Sequence, residues 1–266
     1  MSALIQTTEP TIAAPTIRPF TDIGAMVGRE LRRTIRSVDM LITALVLPVS
    51  IMLVFVIVFG GAVEKDGNYI NYIVPGTLIL CTGFGSALTA VSVAKDMEEG
   101  IIDRFRTMPI FGASVLVGHV VASVIRNLLS SVLVIGVALG LGFRPSADFA
   151  GWVVTLIYIV FAITAFTWVC CAAGLVLSAE AANSVNFIFL FLPYISSGFV
   201  AAATMPAWLQ GFADNQPFTP IIETLRALLN GTNPGADGWA AVAWLGGFLI
   251  AGFIASVLMF RRRVAH

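Results

Sequence analysis

The chain is short of charge. Only 11 % of its 266 residues are Asp, Glu, Lys or Arg, against about a quarter in soluble domains, while 58 % are hydrophobic. A soluble core of this length could not enclose so much apolar side chain. Lysine is nearly absent, occurring only at Lys65 and Lys95. Neither stands in G-x-x-x-x-G-K-[ST], so the chain has no phosphate-cradling loop and is not expected to hydrolyse nucleotide by itself. Histidine is equally scarce: His119 lies in an apolar run and His266 at the end, which leaves no material for a histidine metal site or a Ser/His/Asp triad. Cys81, Cys170 and Cys171 all sit in apolar runs and read as small buried residues, so no disulfide framework is indicated. A net charge of zero gives no reason to expect nucleic acid as a partner.

What the chain has is long apolar runs. Several reach the roughly 20 residues needed to cross about 30 Å of hydrocarbon. Six are expected to span, at about 40–60, 73–94, 115–143, 151–177, 185–203 and 239–260. The expected fold is therefore all-α and polytopic. Pro48 and Pro193 are predicted to bend the first and fifth spans. Gly76, Gly83 and Gly85 in the second span, and Gly136 with Gly140 in the third, are small residues of the kind that let helices approach closely.

The flanks carry the polar residues. Residues 1–19, rich in Thr, Pro and Ala, are expected to form a disordered cytoplasmic tail ahead of a permease domain over 20–263. From Phe20 to Val38 the apolar residues Ile23, Val27, Leu31, Ile35 and Val38 recur at helical spacing, with Arg29, Arg32, Arg33 and Arg36 opposite. This pattern predicts a basic amphipathic helix at the membrane surface, where arginines meet lipid headgroups or a protein partner. Between the fifth and sixth spans, the Pro- and Asn-broken stretch containing Pro220 to Leu229 is expected to fold as short helices in the outer leaflet.

Orientation follows from positive charge. With the N-terminus inside, Arg18, Arg29, Arg32, Arg33, Arg36, Lys95, Arg104, Arg106 and Arg261 to Arg263 are cytoplasmic, and only Lys65, Arg144 and Arg226 lie outside. An even number of spans then returns the C-terminus to the cytoplasm. Two local features stand out. Arg126 is costly inside a membrane and shares a helical face with His119. Either they form a polar site in a transport pathway or they hydrogen-bond structurally to a neighbouring helix. The segment Asp96 to Arg106 joins charge to apolar Ile101, Ile102 and Phe105 at helical spacing, as a knob that docks a cytoplasmic partner would.

The layout resembles the permease subunits of type-2 ABC transporters, and among them the daunorubicin-resistance-type drug and lipid exporters. Two stretches carry the likeness. Asp96-Met97-Glu98-Glu99-Gly100-Ile101-Ile102-Asp103-Arg104-Phe105-Arg106-Thr107-Met108-Pro109 is similar to that family's acidic-x-x-acidic-Gly segment with its arginine-rich turn, with Ile101 where many members have Thr. Gln216-Pro217-Phe218-Thr219-Pro220, with Glu223, Arg226 and Leu229, is similar to the stretch before its last span. The resemblance implies a half-transporter that pairs with a second permease, identical or not. Two separate ATPase subunits would bind it from the cytoplasm, and they, not this chain, would hold ATP and Mg. It also implies that Asp96, Glu98, Glu99, Asp103, Arg104 and Arg106 contact the ATPase, with Arg29, Arg32, Arg33 and Arg36 close by.

An amphipathic drug, lipid or glycolipid is the expected cargo. Thr82 and Phe84 on the second span, His119 and Arg126 on the third, and Phe187, Phe191 and Tyr194 on the fifth are candidate pathway residues. The alternatives are an ATP-independent secondary transporter or channel, for which neither internal repeats nor many intramembrane ionisable residues are evident, and a non-transporting membrane scaffold.

Overall fold

The computed structural model describes residues 19–63, 69–101 and 114–264, which among themselves are helical with no strand. Helix α1 (Pro19–Arg36) starts on a proline, whose missing N–H costs nothing at that position. Asp22 in its first turn and Arg33 and Arg36 in its last complement the helix dipole. Helix α2 (Val38–Val54) continues into a wider π-helical stretch, Phe55–Phe59. Then come α3 (Tyr69–Glu98), α4 (Ser114–Gly140) and α5 (Phe149–Gly174). The short α6 (Ala179–Asn183) and α7 (Val185–Phe191) lead to a 3-10 turn at Leu192–Ile195. Helices α8 (Ala207–Asn215) and α9 (Phe218–Leu229) precede the last helix, α10 (Gly235–Val264).

Among the described residues, five helices are long and apolar enough to cross a membrane: Ile42–Phe59, Tyr69–Glu98, Ser114–Gly140, Phe149–Gly174 and Gly235–Arg262. They match five of the expected spans, with ends displaced by a few residues. Helix α3 is the axis, with 89 % of its most apolar stretch buried, against 18 % for the first span and 17 % for α10. Those two present apolar side chains such as Val46, Ile57, Ile250 and Phe253 outward, as lipid-facing helices do. Helix α3 packs against α4 and α5, with α2, α7 and α9 around it, and α10 lies along α5.

The expected fifth span, 185–203, is not one helix. Helical hydrogen bonding ends at Ile195, and Ser196 to Val200 form an irregular turn. Pro193 lacks a donor and two serines follow, so the chain cannot continue as an apolar helix. The broken segment still runs the length of α3. At one end the Ala179 amide donates to Glu98 Oε1 (2.8 Å), and at the other Tyr69 Oη donates to the Phe199 carbonyl (2.9 Å).

Small residues fix these crossings, though not all the expected ones. A Cβ on Gly76 would collide with the Gly198 backbone, one on Gly85 with the Asn127 amide, and one on Gly83 with the Phe189 ring. Gly136 and Gly140 meet nothing within 4 Å, so they form no close helix crossing within this chain. The first span carries a π-helical irregularity at Phe55–Phe59, beyond Pro48, which lies inside α2. Gly76→Ala is expected to destabilise the protein by about 1–3 kcal/mol by overpacking against backbone, while Gly136→Ala leaves it unchanged. Thermal unfolding of the two variants in one detergent, followed by size-exclusion recovery, checks this contrast.

Candidate functional site: a buried ionic box and a latched turn

The most buried edge of helix α1 is not its apolar stripe, whose Ile23, Val27 and Leu31 are half-buried. The residues it buries are Met26, Glu30 and Thr34, spaced four apart, and they face α4. The approach is close enough that a Cβ on Gly118 would meet Met26 Cβ at 2.8 Å. Phe20 and Ile35 are left 89 % and 67 % exposed. The arginines divide accordingly. Arg29 and Arg33, one turn apart, reach inward and both pair with the carboxylate of Asp96 on α3, while Arg32 and Arg36 stay exposed.

Asp96 is completely buried. Its Oδ2 also lies 3.2 Å from His119 Nε2, and His119 Nδ1 lies 3.4 Å from Glu30 Oε2, so both ring nitrogens face a carboxylate. Arg29 closes the ring on Glu30 at 2.5 Å. Burial works against the Arg29 charge, but Glu30 and Asp96 outweigh it and hold the guanidinium pKa above its ordinary value. One oxygen or nitrogen from each of Glu30, Asp96 and His119 lies within 4.8 Å of the others, a spacing a cation could use. Two guanidinium groups already occupy Asp96, however, and an added cation would sit among like charges. The donor set therefore fits an ion-pair box better than a metal centre.

A polar column continues from the box into the membrane-spanning region. Arg126 donates to the Gly85 carbonyl (2.9 Å) and to Thr89 Oγ1 (3.0 Å) on α3. These are bonds to a neighbouring helix, one of the two roles its sequence position allowed. Asn127 donates to Ser123 O (3.0 Å), Ser123 meets Thr167 Oγ1 (3.1 Å), and Thr167 donates to Ser86 Oγ (3.1 Å). Helices α3, α4 and α5 are thus joined by hydrogen bonds between polar groups that lipid would leave without partners, although Asn127 Oδ1 has none among the described residues.

At the opposite end of α3, side chains hold the irregular turn. Arg226 on α9 donates to the Ser197 carbonyl (2.8 Å) and to the Tyr72 carbonyl (3.2 Å), pairs with Glu223, and lies 4.0 Å over the Tyr72 ring. Tyr72 Oη donates to the same Ser197 carbonyl (2.8 Å). Behind the turn, the Phe199 ring stacks on Tyr194 (4.4 Å) and packs on Phe55 of the π-helical stretch (4.7 Å). The two irregular stretches of the bundle therefore pack on each other.

Several sequence expectations change here. Asp96, expected to contact a partner, is fully enclosed here and bound by residues of its own chain. Glu98 and Glu99 remain exposed. Asp103, Arg104 and Arg106 lie outside the described residues. Thr82 is fully buried and donates to the Ile79 carbonyl of its own helix, and Phe84 is buried as well, so neither faces a passage. His119 and Arg126 are likewise enclosed. Phe187 and Phe191 are exposed, 58 % and 55 %, and stack at 6.5 Å. The structure thus does not bring the candidate pathway residues together. Glu30 and Tyr72 were missed altogether. The one clue to Glu30 was an acidic residue one turn from the charged edge of α1.

Residues 21–230 match the ABC-2 type transporter family. The chain is 31 % identical to the daunorubicin resistance ABC transporter permease protein DrrB1 of Streptomyces coeruleorubidus, over 72 % of this chain and 69 % of that protein. It is 26 % identical to the probable doxorubicin resistance ABC transporter permease protein DrrC of Mycobacterium tuberculosis, over 90 % and 88 % of the two chains. The probable multidrug ABC transporter permease YbhR of Escherichia coli is 25 % identical over 59 % of this chain and 44 % of its own length.

Replacing Asp96 by Asn would leave two guanidinium groups facing an amide and break three charged contacts at once. A loss of about 3 kcal/mol is expected, with α1 freed first. Hydrogen exchange of the α1 amides is the measurement, and faster exchange there than in α5 is the expected result.

Proposed function

Because the chain belongs to the ABC-2 type transporter family, we propose that it is the membrane-spanning permease subunit of an ATP-driven exporter. In this reading it pairs with a second permease copy or paralogue and is driven by two separate cytoplasmic ATPase subunits, which bind the ATP and Mg. The cargo is an amphipathic drug, lipid or glycolipid, moved out of the cytoplasm or inner leaflet of a bacterial plasma membrane. The end of α3 that carries Glu98 and Glu99 is cytoplasmic, together with both termini, and the Arg226 end faces outward. The broken α6–α7 segment makes the sixth crossing.

The observation that carries this reading is the ionic box beside two exposed carboxylates. Glu98 closes α3 and Glu99 follows it, and both are exposed, with one Glu98 oxygen accepting from the Ala179 amide. Just inside them, Asp96 ties α3 to α1 and to His119 of α4. A push from an ATPase subunit on this end would reach three helices as one body. Each ligand still has to favour one state of the bundle for transport to follow. At the far end, the turn held by Tyr72 and Arg226 is the discontinuous element able to change shape. Phe187 and Phe191 line the passage where a second copy meets this one.

Two experiments test this. Co-expression with a tagged ATPase subunit should recover both proteins in one complex. The charge-reversed variant Glu98→Lys/Glu99→Lys should reduce that recovery at least tenfold while the permease stays monodisperse. Daunorubicin uptake into inverted vesicles should require ATP and fall with the same variant. Uptake without ATP, or full ATPase retention after charge reversal, would overturn the reading. Separately, Phe187→Ala/Phe191→Ala is expected to raise the apparent KM for daunorubicin several-fold with the complex intact.

A further inference from the structure

The inward turn of Arg29 and Arg33 leaves a basic surface that the coupling role does not use. Arg29, Arg32, Arg33 and Arg36, with Ser37, line an open groove of about 680 Å³ on α1. Arg32 and Arg36 are exposed and sit one turn apart on its outer side. Arg29 and Arg33 form its inner side, their charge partly balanced by Asp96. The groove is cationic and built on a rigid helix whose inner face is pinned to α4. We infer that it binds the phosphate of an anionic phospholipid headgroup. The inference leans on the proposed orientation only in placing that lipid in the inner leaflet.

Three features favour lipid over an acidic protein segment. The groove lies at the water–hydrocarbon boundary, since the first apolar span begins at Ile42, one helical turn or about 6 Å after α2 starts at Val38. That is where phospholipid phosphates lie. Next to the arginines, Ile35 is 67 % exposed, and Ile42 and Val46 follow, each 52 % exposed. A lipid offers these side chains acyl chain and offers the guanidinium groups its phosphate, whereas an acidic water-soluble surface leaves Ile35 uncovered. Finally, α1 turns Met26, Glu30 and Thr34 fully to the protein, while Ile23, Val27 and Leu31 of its apolar stripe are half-buried and Ile35 is exposed. The uncovered part of the stripe is left to meet the bilayer. Guanidinium is also suited to phosphate, which it can bind through two parallel hydrogen bonds.

The test uses the permease alone, so it stands or falls independently of ATP and of any ATPase subunit. Purified protein in detergent is mixed with equal amounts of phosphatidylglycerol and phosphatidylcholine, and retained lipid is read by native mass spectrometry. Wild type should retain phosphatidylglycerol preferentially. Arg32→Gln/Arg36→Gln should weaken that retention roughly thirtyfold, the loss expected for two surface arginines. Arg261→Gln/Arg262→Gln, at exposed positions on α10, should not change it. Size-exclusion profiles of both variants should match wild type, because all four side chains are exposed. Equal retention of the two lipids, or an unchanged double variant, overturns the inference. So does inorganic phosphate displacing the lipid at equal concentration, or stoichiometric displacement of bound phosphatidylglycerol by an added ATPase subunit.

Discussion

A carboxylate with no access to water, Asp96, organises one end of this protein. Stripping a charge of solvent costs several kcal/mol unless partners replace the water, and here they come from separate elements: Arg29 and Arg33 from α1, and His119 from α4. That requirement dictates how α1 lies. To deliver two guanidinium groups one turn apart to one carboxylate, the helix must turn its Met26–Glu30–Thr34 edge to the protein. Of its apolar residues, Met26 is buried with that edge, and Phe20 and Ile35 are left uncovered. The groove between the arginines, the close contact at Gly118 and the exposure of Ile35 all follow from this placement.

The other end obeys a different constraint. Backbone groups in or near hydrocarbon must be satisfied by the protein, and the break after Ile195 releases carbonyls that a helix would have used. Tyr69, Tyr72, Arg226 and Gln216 take them up, at Phe199, Ser197 and Ile195. An apolar bundle can therefore carry an irregular turn whose Ile195, Ser197 and Phe199 carbonyls are taken up by side chains. The π-helical stretch at Phe55–Phe59 packs against the same turn, and such stretches often mark functional positions within helices. The bundle is stiffened by charge at one end and interrupted at the other.

Between the two ends, polar groups cross-link the helices. In a bilayer, apolar side chains give no hydrophobic preference for a neighbouring helix over lipid. Specific bonds such as Arg126 to Gly85 and Thr89, and the Ser123–Thr167–Ser86 chain, therefore do much to fix which helices touch.

Composition and run length determined that the chain is a helical membrane protein, because about 20 apolar residues in a row have few other homes. The same pattern placed five of its long helices, the amphipathic α1 and the acidic end of α3. Periodicity found α1 but left open what covers each of its faces. A stripe of apolar residues marks a face but does not say whether protein or lipid covers it, and in a bilayer both covers are apolar. Only the tertiary structure decided that Arg29 and Arg33 turn inward while Arg32 and Arg36 turn out, and that Asp96 is enclosed rather than offered to a partner. It also decided that Phe187 and Phe191 stand apart from His119 and Arg126, and that the fifth hydrophobic run breaks against Tyr72 and Arg226. Each of these depends on pairing residues distant in the chain. Local pattern carries no record of such partners, because the energy of a buried charge is set by what surrounds it.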